Sequence, residues 1–186
     1  MVPTLAATLG VKGHRPTAGT RDHKDLLYVF AVVNLISAAI HSNTLESPKD
    51  AKKRTGQSKT RRLQEAFAAH LRHIGRVYPA AKYPEVVLLI DNAPWHAGKP
   101  VDEALAQNPH LKFKRLPSYS PQLNPIERLW KALRRRATHN RLFDTLADLK
   151  KSLRASLSYF QTMRERAKTL LQSKRKKANR TASASV

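Results

Sequence analysis

Cysteine is absent from all 186 residues. That removes disulfides, thiolate metal sites and thiol nucleophiles together, and leaves oxygen and imidazole groups to carry any chemistry. Acidic residues are scarce, with 13 Asp and Glu against 35 Lys and Arg, for a formal charge of +22. So large an excess repels itself unless a polyanion supplies counter-charge, which makes nucleic acid the leading partner. No apolar run approaches the roughly 20 residues a bilayer-spanning helix needs; the longest apolar-rich segment, residues 26–40, is broken by Asn34 and Ser37. No membrane association is therefore expected. The first 17 residues also lack the basic start and continuous apolar run of a secretory signal, so the expected location is cytoplasmic, alongside the nucleoid.

The length suits one domain with a sizeable core. Residues 1–25, with three glycines and two prolines, read as irregular. Residues 26–35 (LLYVFAVVNL) have strand composition, and residues 36–46 follow as a second strand turned at residues 37–39, which makes a hairpin. Residues 47–59 (SPKDAKKRTGQSK) form a charged surface loop. An amphipathic helix then runs over about 60–77, with Leu63, Phe67, Leu71 and Ile74 at helical spacing, covering one face of the sheet. Residues 85–90 (EVVLLI) predict a short strand buried on both faces. A turn over 92–100, a short helix to about 107 and a strand over 111–116 come next. Helices follow from Asn124 to about residue 139 and, singly or as a pair, over 145–171. This order argues an α/β sandwich with a mixed sheet, in which functional groups gather past the carboxyl ends of strands. Residues 1–172 are assigned to this core and residues 173–186 to a disordered basic tail.

Asp91 ends the buried strand, so its carboxylate is either exposed at the sheet rim or costly to bury. Asp-Asn ahead of Pro94 is equally ordinary turn chemistry. Glu127, three residues after Asn124 and two after Pro125, stands where a capping box places a glutamate. Taken together the two are more informative, because a helix after a neighbouring strand can bring its first turn over the same rim. Two close carboxylates repel unless a cation lies between them, and a hard ion such as Mg²⁺ or Mn²⁺ prefers oxygen ligands. Paired ions of this kind, which usually require three carboxylates, cleave phosphodiesters.

The segments VVLLIDNAPWH (86–96) and LPSYSPQLNPIERLWKALRRR (116–136) resemble the mariner-related bacterial insertion-sequence transposases of the DDE superfamily, and the similarity extends more weakly over residues 3–171. The resemblance implies a ribonuclease-H-like mixed sheet flanked by helices, with metal-dependent DNA cleavage and strand transfer. It also implies that Asp91 and Glu127 are the second and third metal-binding carboxylates. Asn92 and His96 would stand behind them as a supporting layer, or serve as turn and surface residues. Tyr119 and Ser120 would touch DNA or pack the loop, and Trp130 belongs to the core. A homodimer, or pairing with an intact transposase, is implied as well.

The family's first Asp lies on an opening strand ahead of the segment that resembles residues 2–20, and its helix-turn-helix DNA reader lies further upstream. Neither is found in this sequence, and Asp22, Asp25, Glu46 and Asp50 are poorly placed to substitute. The expectation is thus a core lacking its first strand. It would come from a truncated remnant, one frame of a split gene or a misplaced start, and an inactive remnant that binds DNA is the alternative function. Residues 128–186 carry 17 Lys and Arg against 3 acids. Lys131, Arg134, Arg135 and Arg136 are expected on phosphates beside the site, with Lys174, Arg175, Lys176 and Lys177 as a DNA-binding tail.

Overall fold

The computed structural model describes residues 25–118, 120, 123–139 and 141–172. β1 (Leu26–Val33) pairs antiparallel with β2 (Ile40–Ser47), Leu26 lying opposite Ser47 and Val33 opposite Ile40. The second strand starts later than residue 36. The Asn34 side-chain oxygen accepts the amides of Ile36 and Ser37 at 2.9 Å, and Ala38 turns the chain at φ 55°. An Asn side chain that captures two amides competes directly with strand pairing, so residues 34–39 form the turn. The loop expected over 47–59 contains a short helix, α1 (Ala51–Thr55), which ends at Gly56 in the left-handed region.

α2 (Lys59–Val77) begins where the Ser58 hydroxyl accepts the Arg61 amide, satisfying one of the otherwise unpaired first-turn donors. Its apolar stripe, Leu63, Phe67, Leu71 and Ile74, is buried, as the spacing requires. β3 (Val86–Ile90) and β4 (Leu111–Arg115) pair in parallel through the crossover helix α3 (Lys99–Ala106). α4 (Ile126–Ala137) starts two residues later than expected, and the segment after it is a helix pair, α5 (Leu146–Thr162) and α6 (Arg164–Gln172). The Thr145 hydroxyl caps α5 on the Asp148 amide. The assigned tail, including Lys174, Arg175, Lys176 and Lys177, lies outside the described residues.

Strand alternation sorts the core into two layers. Tyr28, Phe30 and Val32 of β1 join Leu63, Phe67, Leu71 and Ile74 of α2, together with Leu88 and Ile90 of β3. The opposite face of β1, Leu27, Val29, Ala31 and Val33, packs on Leu129 and Leu133 of α4 and on Leu149, Leu153, Leu157 and Phe160 of α5. Antiparallel and parallel pairings are both present, as a mixed sheet requires, but the β1–β2 and β3–β4 pairs are not hydrogen-bonded to each other. β3 departs from expectation on one point. Val87 and Leu89 are 54% and 40% exposed, so only the Leu88 and Ile90 face is buried. Val87 and Leu89 instead line an open cavity together with residues of β1 and α4.

Gly75 permits the close approach of α2 to the end of α3. A Cβ there would sit 1.8 Å from the Asn108 side-chain oxygen, whose amide is fixed to the Ala104 carbonyl. His70 is 1% exposed, and neither ring nitrogen has a hydrogen-bond partner among the described residues. Burial, followed by the nearby His73 and His41, pushes its pKa down to about 4.

Two stability predictions follow from this core. Leu71→Ala empties a fully buried position between the two sheets and lowers unfolding free energy by about 2–5 kcal/mol, measured by urea denaturation. The unfolded chain takes up a proton at His70 near its ordinary pKa of 6.5 while the folded chain resists until about 4. The stabilisation is therefore complete above pH 6.5 and lost as pH falls toward 4, on the order of 3 kcal/mol over that window. In His70→Leu, urea midpoints between pH 7 and 4.5 should show a correspondingly flatter dependence; an unchanged profile would refute the assignment.

Candidate functional site

The site forms where β3 and β4 end. In the last pair of their parallel register Ile90 lies opposite Arg115, and the Leu116 amide donates to the Ile90 carbonyl at 2.8 Å. The Asn92 side-chain amide donates to the Leu116 carbonyl at 3.0 Å. Asn92 thus ties together the two loops that leave the sheet, one starting at Asp91 and the other leading to Glu127, and makes no contact with either carboxylate among the described hydrogen bonds.

Asp91 is exposed, and one of its carboxylate oxygens is engaged. Oδ1 accepts the Ala93 amide at 3.1 Å and lies 3.0 Å from His96 Nδ1. The turn role open to Asp91 from sequence is therefore present. His96 Nδ1 also lies 3.2 Å from the Asp91 carbonyl. Both neighbours of Nδ1 accept, so that nitrogen carries the proton and donates to Asp91. The imidazole stacks at 4.4 Å, tilted by 40°, on Phe67 of α2, and the turn Pro94–His96 that carries it is held by Arg115 Nη2 donating to the His96 carbonyl at 3.3 Å. Gln64 of α2 donates to the Ala97 carbonyl at 2.6 Å. The position of Asp91 is thus set from the core by α2, through His96.

Glu127 lies in the first turn of α4. Asn124 Oδ1 accepts the Ile126 amide at 3.3 Å, and the Glu127 amide donates to the Asn124 carbonyl at 3.2 Å. The Glu127 side chain makes no capping hydrogen bond, and it enters no salt bridge among the described residues. The capping box open to it from sequence does not form, so the carboxylate is not consumed by helix chemistry. Asp91 and Glu127 line one cavity of about 350 Å³ with Asn92, Asn124, Ser118 and Ser120. They also share the mouth of a second cavity of about 290 Å³ that runs back between β1 and β3.

This rim is rich in oxygen, and two carboxylates opening into one space suit a hard divalent cation. No cluster of three His, Cys, Asp or Glu with metal-holding geometry occurs among the described residues. Of the upstream acids considered, Asp22 lies outside the described residues, Asp25 accepts the Lys49 amide, Glu46 pairs with Lys150 at 2.5 Å, and Asp50 faces Arg54 at 4.0 Å.

Lys131, Arg134, Arg135 and Arg136 are all exposed on α4. Arg136 lies over the Tyr159 ring at 3.7 Å, and Arg134 Nε donates to the Trp130 carbonyl at 3.4 Å. Trp130 is half-buried against the α4–α5 layer and lines the cavity between β1 and β3. Arg115 and Gln64 were not anticipated as parts of the site. The signal for Arg115 was its place one strand across from Ile90; for Gln64 there was none, since its partner is 33 positions away.

The sequence model of the DDE superfamily endonuclease family matches residues 4–150. An uncharacterized 39 kDa protein of insertion element IS630 from Shigella sonnei is 27% identical over 152 residues, covering 82% of this chain and 40% of that protein. An uncharacterized Sinorhizobium fredii protein, y4pE/y4sA, is 34% identical over 85 residues, 46% of this chain and 58% of that one. The fold is similar to the Mos1 mariner paired-end complex with Mn (TM-score 0.57, 18% identity, 91% of this chain and 49% of that one). It is also similar to the Mos1 transposase paired-end complex with the left transposon end (TM-score 0.53, 20% identity, 92% and 51%). The chain spans between two fifths and three fifths of the length of these relatives. The fold is therefore ribonuclease-H-like, and with its family model matched over most of its length the chain belongs to the DDE superfamily endonucleases.

Proposed function

We propose that residues 1–172 form the catalytic-type core of a transposase, in which Asp91 and Glu127 hold a divalent cation, Mg²⁺ or Mn²⁺, for DNA strand cleavage and transfer. The observation that carries this reading is the shared cavity: two carboxylates from different elements open into one space, and Glu127 has no structural partner there. A bound cation would supply the positive charge that polarises a phosphodiester oxygen. The chain's own residues fix the ligands. His96 donates to Asp91 and leaves its Oδ2 free of that contact, while Asn92 holds the loop of Asp91 against the loop that leads to Glu127.

DNA is the proposed partner, reached through Lys131, Arg134 and Arg135 on the exposed side of α4, with the 173–186 tail as a further contact and a second copy or an intact transposase as the assembly partner. DNA binding places the protein on the nucleoid, and no described helix is long and apolar enough to cross a membrane. A second reading is a core that binds DNA without cutting it, through the exposed Lys131, Arg134 and Arg135 of α4.

Plasmid nicking separates the two. On the first reading, Mn²⁺ supports nicking of supercoiled plasmid that falls to background in Asp91→Ala and in Glu127→Ala. Binding that survives both substitutions, with no nicking under any metal, would establish the second. His96→Ala, which removes the ring that holds Asp91, should weaken Mn²⁺ affinity by about 10- to 100-fold in calorimetric titration. For DNA affinity measured over a salt series, each phosphate contact contributes about −0.9 to the slope of log K against log salt. Replacing both Arg134 and Arg135 by Ala should therefore flatten the slope by about 2, equally for unrelated sequences; an unchanged slope would place the DNA elsewhere.

A further inference from the structure

Residues 49–62 carry seven Lys and Arg against a single acid, Asp50. None of them takes part in the site at Asp91 and Glu127. Arg54 faces Asp50 at 4.0 Å and Arg61 pairs with Glu65 at 2.8 Å. Lys52, Lys53 and Lys59 are exposed and enter no salt bridge among the described residues. Lys52 and Lys53 belong to α1, which ends at Gly56 in the left-handed region and leads within three residues to α2. Lys59 opens α2, and the first turn of that helix contains no acid. Solubility alone asks for both signs interspersed, whereas like charges crowded without acids repel one another until a polyanion supplies the counter-charge.

The cluster stands at the rim that bears Asp91. Lys59 Nζ lies 5.4 Å from the centre of the Tyr28 ring, and Tyr28 lines the cavity whose mouth Asp91 and Glu127 share. Further along α2, Gln64 holds the Ala97 carbonyl in the loop that follows Asp91. Loop and helix touch closely there, since a Cβ at Gly98 would lie 2.6 Å from the Gln64 side-chain nitrogen. The same cavity is lined by Leu63 and Phe67 of α2 and by Ile126 and Trp130 of α4. One member of the carboxylate pair is thus braced from α2 and the other is carried by α4, and each helix brings its own group of cations.

We propose that α1 and the first turn of α2 form a second phosphate-binding surface for duplex DNA. A duplex lying over the carboxylates is held beside Asp91 by Lys52, Lys53 and Lys59, and beside Glu127 by the basic residues of α4. Lysines are compact charges on flexible stems, and contacts to phosphates carry no sequence information, so this surface holds unrelated sequences alike. The proposal rests on the reading of the chain as a DNA-acting core, but it requires neither bound metal nor cleavage.

Duplex affinity of the full chain, measured by fluorescence anisotropy over a salt series in the presence of EDTA, tests it. In the triple variant Lys52→Gln, Lys53→Gln, Lys59→Gln the slope of log K against log salt should flatten by about 2 to 3, and Arg at the same three positions should restore it. A control that removes the same charge elsewhere, Arg76→Gln, Lys82→Gln, Lys112→Gln, should keep the parent slope. If the parent chain binds DNA and the first variant keeps its slope, this proposal alone is overturned. An equal loss in the control also overturns it, because attraction would then follow net charge and not this surface. If the parent chain binds no DNA, the DNA-acting reading falls together with it. Because the chain has no cysteine, a single Thr60→Cys in the first turn of α2 can carry a photo-cross-linker. It should capture the duplex, while Ala81→Cys beyond the far end of α2 should not; capture from position 81 alone would put the DNA on another face and refute the assignment.

Discussion

The apolar face of α2 joins the two strand pairs and sets the place of Asp91. The two strand pairs share no hydrogen bonds, yet Leu63, Phe67, Leu71 and Ile74 pack against Phe30 of one pair and against Leu88 and Ile90 of the other. Burial of this kind is non-directional and scales with area, so it can hold two sheets in place without a ladder between them. The same helix continues outward to the site. Phe67 carries the His96 ring, and His96 in turn carries Asp91.

Elements whose periodicity is local were legible in the sequence. α2 was readable because its stripe is a property of its own residues, and β1 because its residues are β-branched and aromatic. What failed was decided by side chains that compete with the backbone. The hairpin turn is longer than read because Asn34 captures two amides, and a choice between strand and Asx turn is settled by tertiary support. The run VVLLI gave the opposite lesson. It reads as a strand covered on both faces, yet Val87 and Leu89 are open. The pattern reports what the strand is suited to meet, and the described residues do not meet it.

At the site, residue types were readable and their roles were not. Asp91 and Glu127 each had a plain structural explanation, and the sequence gives no means of choosing. Geometry separates them: Asp91 does serve its turn, whereas Glu127 forms no cap. His96 was singled out beside the acids, but its proton could be assigned only once both acceptors around Nδ1 were known. Arg115 and Gln64 brace the same turn from β4 and α2, through pairings that no short-range spacing encodes.

Gly75 shows how tightly the other end of α2 is seated. A Cβ there would sit 1.8 Å from the Asn108 side-chain oxygen, so any larger residue must displace that side chain from the Ala104 carbonyl it holds at the end of α3. Sequence drift at a position that carries no functional group would thus loosen the packing of two helices while leaving every residue of the site unchanged.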